Sequence, residues 1–307
     1  LYGLPQPSYL LLNDGKGSFS VAPKDRAELD SLGMVMAAAF ADINRDGWPD
    51  LIVTGEWMPI KILMNQQGRF VSQDLASTTG LWQSLAVQDV NGDGRPDILA
   101  GNWGRNNKFT SGKDGVIKLF IKDFDKNGSI EQILTYSING EDFTFLAKDE
   151  LERALPVLKK AYLKYSEVAG KTVQYMFYDL FNGYIEKKAE LLASSVFIQD
   201  ENGGFRREEL PMEFQLAPVF AFAPMNGSEW LVAGNFYGTI PYEGRYDALH
   251  PSLLKWKEDA LQYAGMVKGV TGEVRDMQWL KSANGKSVLL MARNNDRPLL
   301  FAPAAGK

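Results

Sequence analysis

Short apolar runs alternate with clusters of Asn, Asp and Gly along most of this chain. The runs at 51–53, 98–100, 133–134, 231–233 and 288–292 are each bounded by such clusters. Apolar segments of this length between turn residues predict β-strands. Three polar clusters lead into a phenylalanine: Asn13-Asp14-Gly15-Lys16-Gly17-Ser18-Phe19, Asn65-Gln66-Gln67-Gly68-Arg69-Phe70 and Asp200-Glu201-Asn202-Gly203-Gly204-Phe205. Asn, Asp and Gly adopt positive φ at low cost, so these clusters predict hairpin turns. The period changes between 148 and 192. Leu151, Leu155, Leu158, Tyr162 and Tyr165 recur at helical spacing, and Val173, Met176, Phe177 and Leu180 repeat it over 172–181. A helical insertion is expected there.

Three stretches match one another as whole units. Asp42-Ile43-Asn44-Arg45-Asp46-Gly47-Trp48-Pro49-Asp50, Asp89-Val90-Asn91-Gly92-Asp93-Gly94-Arg95-Pro96-Asp97 and Asp123-Phe124-Asp125-Lys126-Asn127-Gly128-Ser129-Ile130-Glu131 each run into an apolar strand. They begin 89−42=47 and 123−89=34 residues apart. Such periods suit four short strands per unit, the size of a propeller blade. Two later units, with turns at 223–228 and 282–285, keep the strand and lose the acids. The expected fold is mainly β: a propeller of about five recognisable blades at 33–70, 80–116, 117–205, 216–263 and 272–303. One domain spans 1–307, with the 148–192 helical insertion in the third blade, between its acidic loop and the Phe205 hairpin. Residues 1–20 resemble the last strands of a blade begun elsewhere, and the opening Leu1 suggests a processed chain or a piece of a longer one.

The acidic stretches suggest a metal. Ca²⁺ takes 6–8 oxygens, and a nine-residue loop with side-chain oxygens at positions one, three, five and nine, a carbonyl at seven and glycine at six supplies most of them. The predicted side-chain ligands are Asp42, Asn44, Asp46 and Asp50; Asp89, Asn91, Asp93 and Asp97; and Asp123, Asp125, Asn127 and Glu131. Trp48, Arg95 and Ser129 would offer carbonyls. About three Ca²⁺ ions are expected. An EF-hand would need a bidentate Glu at position twelve, where this chain has Val53, Ala100 and Leu134. Metal-free Asp/Gly turns are the plain alternative, and three copies in repeat register weigh against it.

Composition removes other chemistries. There are no cysteines and one histidine, His250, so thiolate zinc sites, disulfides and cysteine nucleophiles are excluded. No G-x-S-x-G elbow is present. Net charge is −5, from 33 basic and 38 acidic side chains with no basic stripe, so nucleic acid is not an expected partner. No apolar run is long enough to span a bilayer.

Residues just after the second strand of each unit would gather at one end of a propeller: Trp57, Trp103, Arg105, Asn106, Asn235, Tyr237, Arg245, Asp247, Asn294 and Asn295. Aromatics with amides and Arg suit a glycan or protein ligand; the bland reading packs the tryptophans between blades and spends the amides on turns. The functional reading is a non-catalytic binding or scaffold module. The alternative is a calcium-dependent polysaccharide lyase using Arg245, Asp247 and His250, a fold-level analogy.

The repeated Asp-x-Asn/Asp-x-Asp/Asn-Gly-x-x-Asp/Glu loops, with N-D-G-x-G-x-F hairpins between them, resemble the FG-GAP/VCBS repeat family, whose propeller is shared with the integrin α-chain head. Gly234-Asn235-Phe236-Tyr237-Gly238 and Gly244-Arg245-Tyr246-Asp247 further resemble secreted bacterial VCBS proteins related to ASPIC/UnbV. The resemblance implies calcium at the three loops and an extracellular, outer-membrane-associated or periplasmic location. Five blades differ from the seven of the integrin head.

Overall fold

A computed structural model of the chain describes residues 2–23, 29–109, 113–225, 228–239, 244–283 and 285–302. The turn positions Asn226, Gly227 and Asn284 and the chain start Leu1 lie outside the described residues. The fold is mainly β, built from antiparallel sheets. The first sheet runs β3 (Met34–Ala41), β4 (Asp50–Met58), β5 (Lys61–Gln66), β6 (Arg69–Asp74), and β7 (Gly80–Leu81) extends the far end of β4. Every residue of β4 is buried, the polar Asp50, Thr54 and Glu56 included, so the strand is covered on both faces. The small hairpin of β1 (Leu11–Asn13) and β2 (Phe19–Val21) stands beside this sheet; Leu10 packs on Leu51, Val53 and Leu63.

The second sheet takes β8 (Ser84–Gln88) and β9 (Asp97–Gly101), then β14 (Ser195–Gln199) and β15 (Phe205–Glu209). Ser195 faces Ala100, Val196 faces Leu99 and Phe197 faces Ile98. The Asp200–Phe205 turn therefore belongs to the second acidic loop's sheet, not to the third unit as the sequence order suggested. The reason is burial: β9 and β14 are both buried throughout and cover each other. The 34-residue spacing between the second and third loops is short because the second sheet is interrupted after two strands.

The interruption is a third sheet in the order β12 (Glu141–Thr144), β11 (Glu131–Ile138), β10 (Ile117–Lys122), β13 (Ile185–Ala189). Between β12 and β13 lie α1 (Lys148–Ala154), α2 (Pro156–Ala161) and α3 (Val173–Phe177). The predicted stripe is split at Leu155, because Pro156 starts a new helix and cannot continue the old one. Leu151, Leu155, Leu158, Val173, Met176 and Phe177 close over Phe120 and Ile133 of the sheet and Phe124 of the acidic loop. Tyr165, last in the stripe, is exposed. Residues 185–189, within the expected helical span, form a strand paired with β10.

The fourth sheet is β16 (Val219–Pro224), β17 (Glu229–Gly234), β18 (Ser252–Lys257) and β19 (Ala260–Met266); the fifth is β20 (Val274–Lys281), β21 (Ser287–Arg293) and β22 (Leu299–Phe301). Strands β3, β8, β16 and β20 lie side by side in that order, so the first, second, fourth and fifth sheets form an arc. Apolar layers fill each junction. Ile52, Ile62 and Trp82 meet Ile98 and Phe197; Leu99 and Val196 meet Val219, Trp230 and Val232; Leu231 and Ala233 meet Val274, Met277 and Met291. The inserted sheet leaves this arc and packs Ile117, Leu119 and Ala189 against Trp57 and Leu81 of the first sheet. Two strand-end glycines are set by close approach: a Cβ on Gly101 would lie 2.4 Å from the Val219 carbonyl oxygen, and one on Gly234 would lie 1.8 Å from that of Pro218.

Candidate metal centre

Each acidic stretch joins the first two strands of its hairpin: β3 to β4, β8 to β9 and β10 to β11. All three adopt the same hydrogen-bond pattern. The position-one carboxylate accepts the backbone N–H groups of positions five and six. These are Asp46 at 3.0 Å and Gly47 at 2.8 Å on Asp42; Asp93 at 3.1 Å and Gly94 at 2.9 Å on Asp89; Asn127 at 3.0 Å and Gly128 at 2.9 Å on Asp123. Asp89 also accepts the N–H of Gly92 at 2.8 Å. The side-chain oxygen at position three accepts from the N–H at five in every copy. The position-five oxygen accepts from the N–H at seven, so Trp48, Arg95 and Ser129 are held alike. Position six is glycine with φ of 91°, 84° and 91°. Position four is also left-handed, with φ of 60° at Arg45, 81° at Gly92 and 60° at Lys126.

The position-nine acid anchors each loop to its strand. Ile43 N–H donates to Asp50 at 3.0 Å, Val90 N–H to Asp97 at 2.9 Å and Phe124 N–H to Glu131 at 2.9 Å. Asp50 and Asp97 are fully buried and accept a second bond from the neighbouring strand: Asn65 N–H at 2.7 Å and Gln199 N–H at 2.8 Å. Burial pushes the Asp97 carboxyl above its ordinary range, and the charges of Asp93 and Asp89 add to this. Burial likewise raises Glu131, helped by Asp125 and Asp123. Burial acts upward on Asp93 too, but Asn91, the Arg95 N–H and the charges of Arg95 and Arg45 outweigh it, and this carboxyl is lowered. Gln199, bonded to Asp97 of the second loop and to the Ile43 carbonyl of the first, places the two loops near each other.

The donor set fits a hard divalent cation. Asp123, Asp125 and Glu131 bring one carboxylate oxygen each to within 4.8 Å of one another. Oxygen donors without cysteine or histidine would suit a hard cation such as Ca²⁺ better than a softer metal. In the first two loops Asn44 and Asn91 stand where the third has Asp125. Their amides donate to Asp46 and Asp93 at 2.8 Å, and Arg95 pairs with Asp93.

The residues expected to face a partner divide. Trp57 is buried in the layer between the first and inserted sheets, edge-on to Tyr2. Trp103 is half-buried and meets Phe109, Phe236 and Tyr246 edge-on at 5.3–5.6 Å. Asn235 is buried, donating to the Gly272 carbonyl at 3.0 Å and accepting from Leu249 N–H at 2.9 Å. Asn106 donates to the Leu216 carbonyl, Asn294 to buried Glu273, and Arg105 to Glu209. Asn295 turns the chain with φ of 52°. Tyr237, Arg245 and Asp247 make a more open group: the Arg245 guanidinium lies 4.8 Å above the Tyr237 ring and 3.9 Å from Asp247. His250 Nδ1 lies 3.3 Å from the Val270 carbonyl oxygen.

Sequence reading missed Asn65 and Gln199. Each stands across its hairpin from the motif phenylalanine, Asn65 opposite Phe70 and Gln199 opposite Phe205, but the second turn is one residue longer, so the aligned motifs set Asn65 against Asp200 and do not point to Gln199.

Residues 2–53 and 42–100 match the model of the FG-GAP-like repeat. The two matches overlap across the first acidic loop, and the second also contains the second loop. The N-terminal third of the chain thus carries FG-GAP-like repeats. No curated protein matches the chain.

Proposed function

We propose that this FG-GAP repeat chain is a calcium-braced β-propeller module that binds or scaffolds rather than catalyses. One observation carries the reading: three loops, far apart in sequence, hold one and the same arrangement of side-chain oxygens at the first hairpin of three different sheets. The side-by-side inner strands support the propeller geometry. At each loop the oxygens of positions one, three, five and nine, with the position-seven carbonyl, would hold one ion. Bound Ca²⁺ supplies positive charge that offsets three neighbouring carboxylates. The protein's part is to fix the turn and anchor its buried position-nine acid to the strand. The partner class is a glycan or protein, met at the end opposite the acidic loops around Tyr237, Arg245 and Asp247. The location is the bacterial surface or periplasm, as the sequence resemblance implies. Calorimetric titration of chelator-treated protein tests the metal reading. Uptake of about three Ca²⁺ is expected; no heat and no uptake would overturn it.

A further inference from the structure

We propose that Gln199 couples the first two acidic loops, so that filling one raises the affinity of the other, while the third loop binds on its own. This rests on the calcium reading above.

The argument begins with one side chain. Gln199 ends β14 in the second sheet and is buried. Its backbone N–H donates to Asp97, position nine of the second loop, at 2.8 Å. Its side-chain Nε2 crosses to the first sheet and donates to the Ile43 carbonyl at 3.0 Å. Ile43 is position two of the first loop, and its own N–H donates to Asp50 at 3.0 Å. The two position-nine carboxylates are therefore joined through Gln199 and Ile43, whose N–H and C=O belong to successive peptide units, with all four residues buried. Arg95 adds a tie from the second loop, its Nε donating to the Gln199 carbonyl at 3.1 Å.

The equivalent residue in the first sheet behaves differently. Asn65 also gives its N–H to the position-nine acid, but its shorter side chain turns back to the Pro49 carbonyl of its own loop. The extra methylene lets Gln199 reach the neighbour. Glu131 accepts from Phe124 N–H, within the third loop's own turn. Settling Asp97 onto an ion fixes the Gln199 backbone, and through its amide fixes the carbonyl that orders the first loop. Hydrogen bonds in a buried chain reinforce one another, and such coupling is reciprocal.

Trp48, at position seven of the first loop, provides a local reporter. Tb³⁺ in place of Ca²⁺ should luminesce through it, and Trp48→Phe identifies that signal. Asp93→Ala is expected to weaken Tb³⁺ binding at the first loop roughly fivefold or more, within the usual range of coupling. The shift should vanish in Gln199→Met, which keeps length and loses the donor, and Asp125→Ala should cause none. If Gln199→Met does not fold, the reciprocal arm stands: Asp46→Ala must weaken the second loop equally, read by calorimetry. An unchanged first loop in Asp93→Ala, or a shift that survives Gln199→Met, overturns the coupling alone. No metal binding at any loop overturns the calcium reading and this proposal together.

Discussion

The first two acidic loops and the third share nearly every internal hydrogen bond and differ in how they are held from outside. Asp50 and Asp97 each take a second backbone N–H from the adjoining strand, whereas Glu131 is held by Phe124 N–H in its own turn. The first two are stitched into neighbouring sheets of the arc. The third sits on an inserted sheet with its own apolar layer. Local sequence dictates the shape of the loop, and the surroundings dictate how much of the molecule feels a change in it.

Removing calcium from all three is expected to have the largest effect and asks whether the difference in setting matters at all. A ligand bound only by the folded state adds about 2.7 kcal/mol per site at a hundredfold excess over Kd. Chelation should lower Tm markedly, and Asp46→Ala or Asp93→Ala should reproduce part of the loss. An unchanged melting curve in a protein shown to bind calcium would break the idea that the ions brace the fold.

Substitution at position nine sharpens the contrast. Asp97→Ala in metal-free protein leaves two buried N–H donors, from Val90 and Gln199, without their acceptor. At about 1–3 kcal/mol for each orphaned group, roughly 2–6 kcal/mol is lost, less whatever relief from carboxylate repulsion returns. Glu131→Ala orphans Phe124 N–H alone, so about 1–3 kcal/mol is expected. Urea unfolding at pH 7 reads both, and equal losses would remove the distinction.

Acid should act on both kinds of loop in the same direction. Folding raises the carboxyl pKa of Asp97 and Glu131, so the folded chain binds these protons more tightly than the unfolded one. Their contribution to metal-free stability is fully present below the unfolded pKa and is lost as pH rises through the raised folded values. Calcium competes with those protons, so the gap in Tm between calcium-loaded and metal-free protein should narrow as pH falls through that range. A gap that widens there would show that other groups dominate. The smallest effect is expected from Asp247→Ala, at an exposed pair far from the loops, which should stay within ±0.5 kcal/mol of the parent and leave calcium uptake unchanged.

The loops were legible because their chemistry is contained in nine consecutive residues. Gly47, Gly94 and Gly128 fall at positive φ as the turn demands, and the acids recur in register. Less legible was the ownership of the Phe205 hairpin. Nothing near Asp200 says that its strand pairs with Ile98 across the whole insertion; only mutual burial of β9 and β14 decides it. The strand at 185–189 was read as helix because Ile185, Lys187 and Ala189 carry too few apolar residues to set a period, and pairing with β10 fixes it instead. Trp57 looked like a surface anchor, yet the inserted sheet covers it. Gln199 was unreadable, since a glutamine at a strand end reveals its reach only when the neighbouring sheet is in place.

The break in the second sheet also has a consequence for biosynthesis. The first sheet is complete once the chain has reached Leu81, and its strands are neighbours in sequence. Strand β9 is made early, but the partner for its outer edge is not made until Ser195–Gln199 has been synthesised. Through that interval a strand destined for full burial has an open side, of the kind that invites wrong pairing. The insertion can shorten the wait in space if not in time. Its two ends meet where Asn102 N–H donates to Ser194 Oγ at 3.0 Å, so a folded insert delivers β14 close to the edge that needs it, and the long closure becomes a short one.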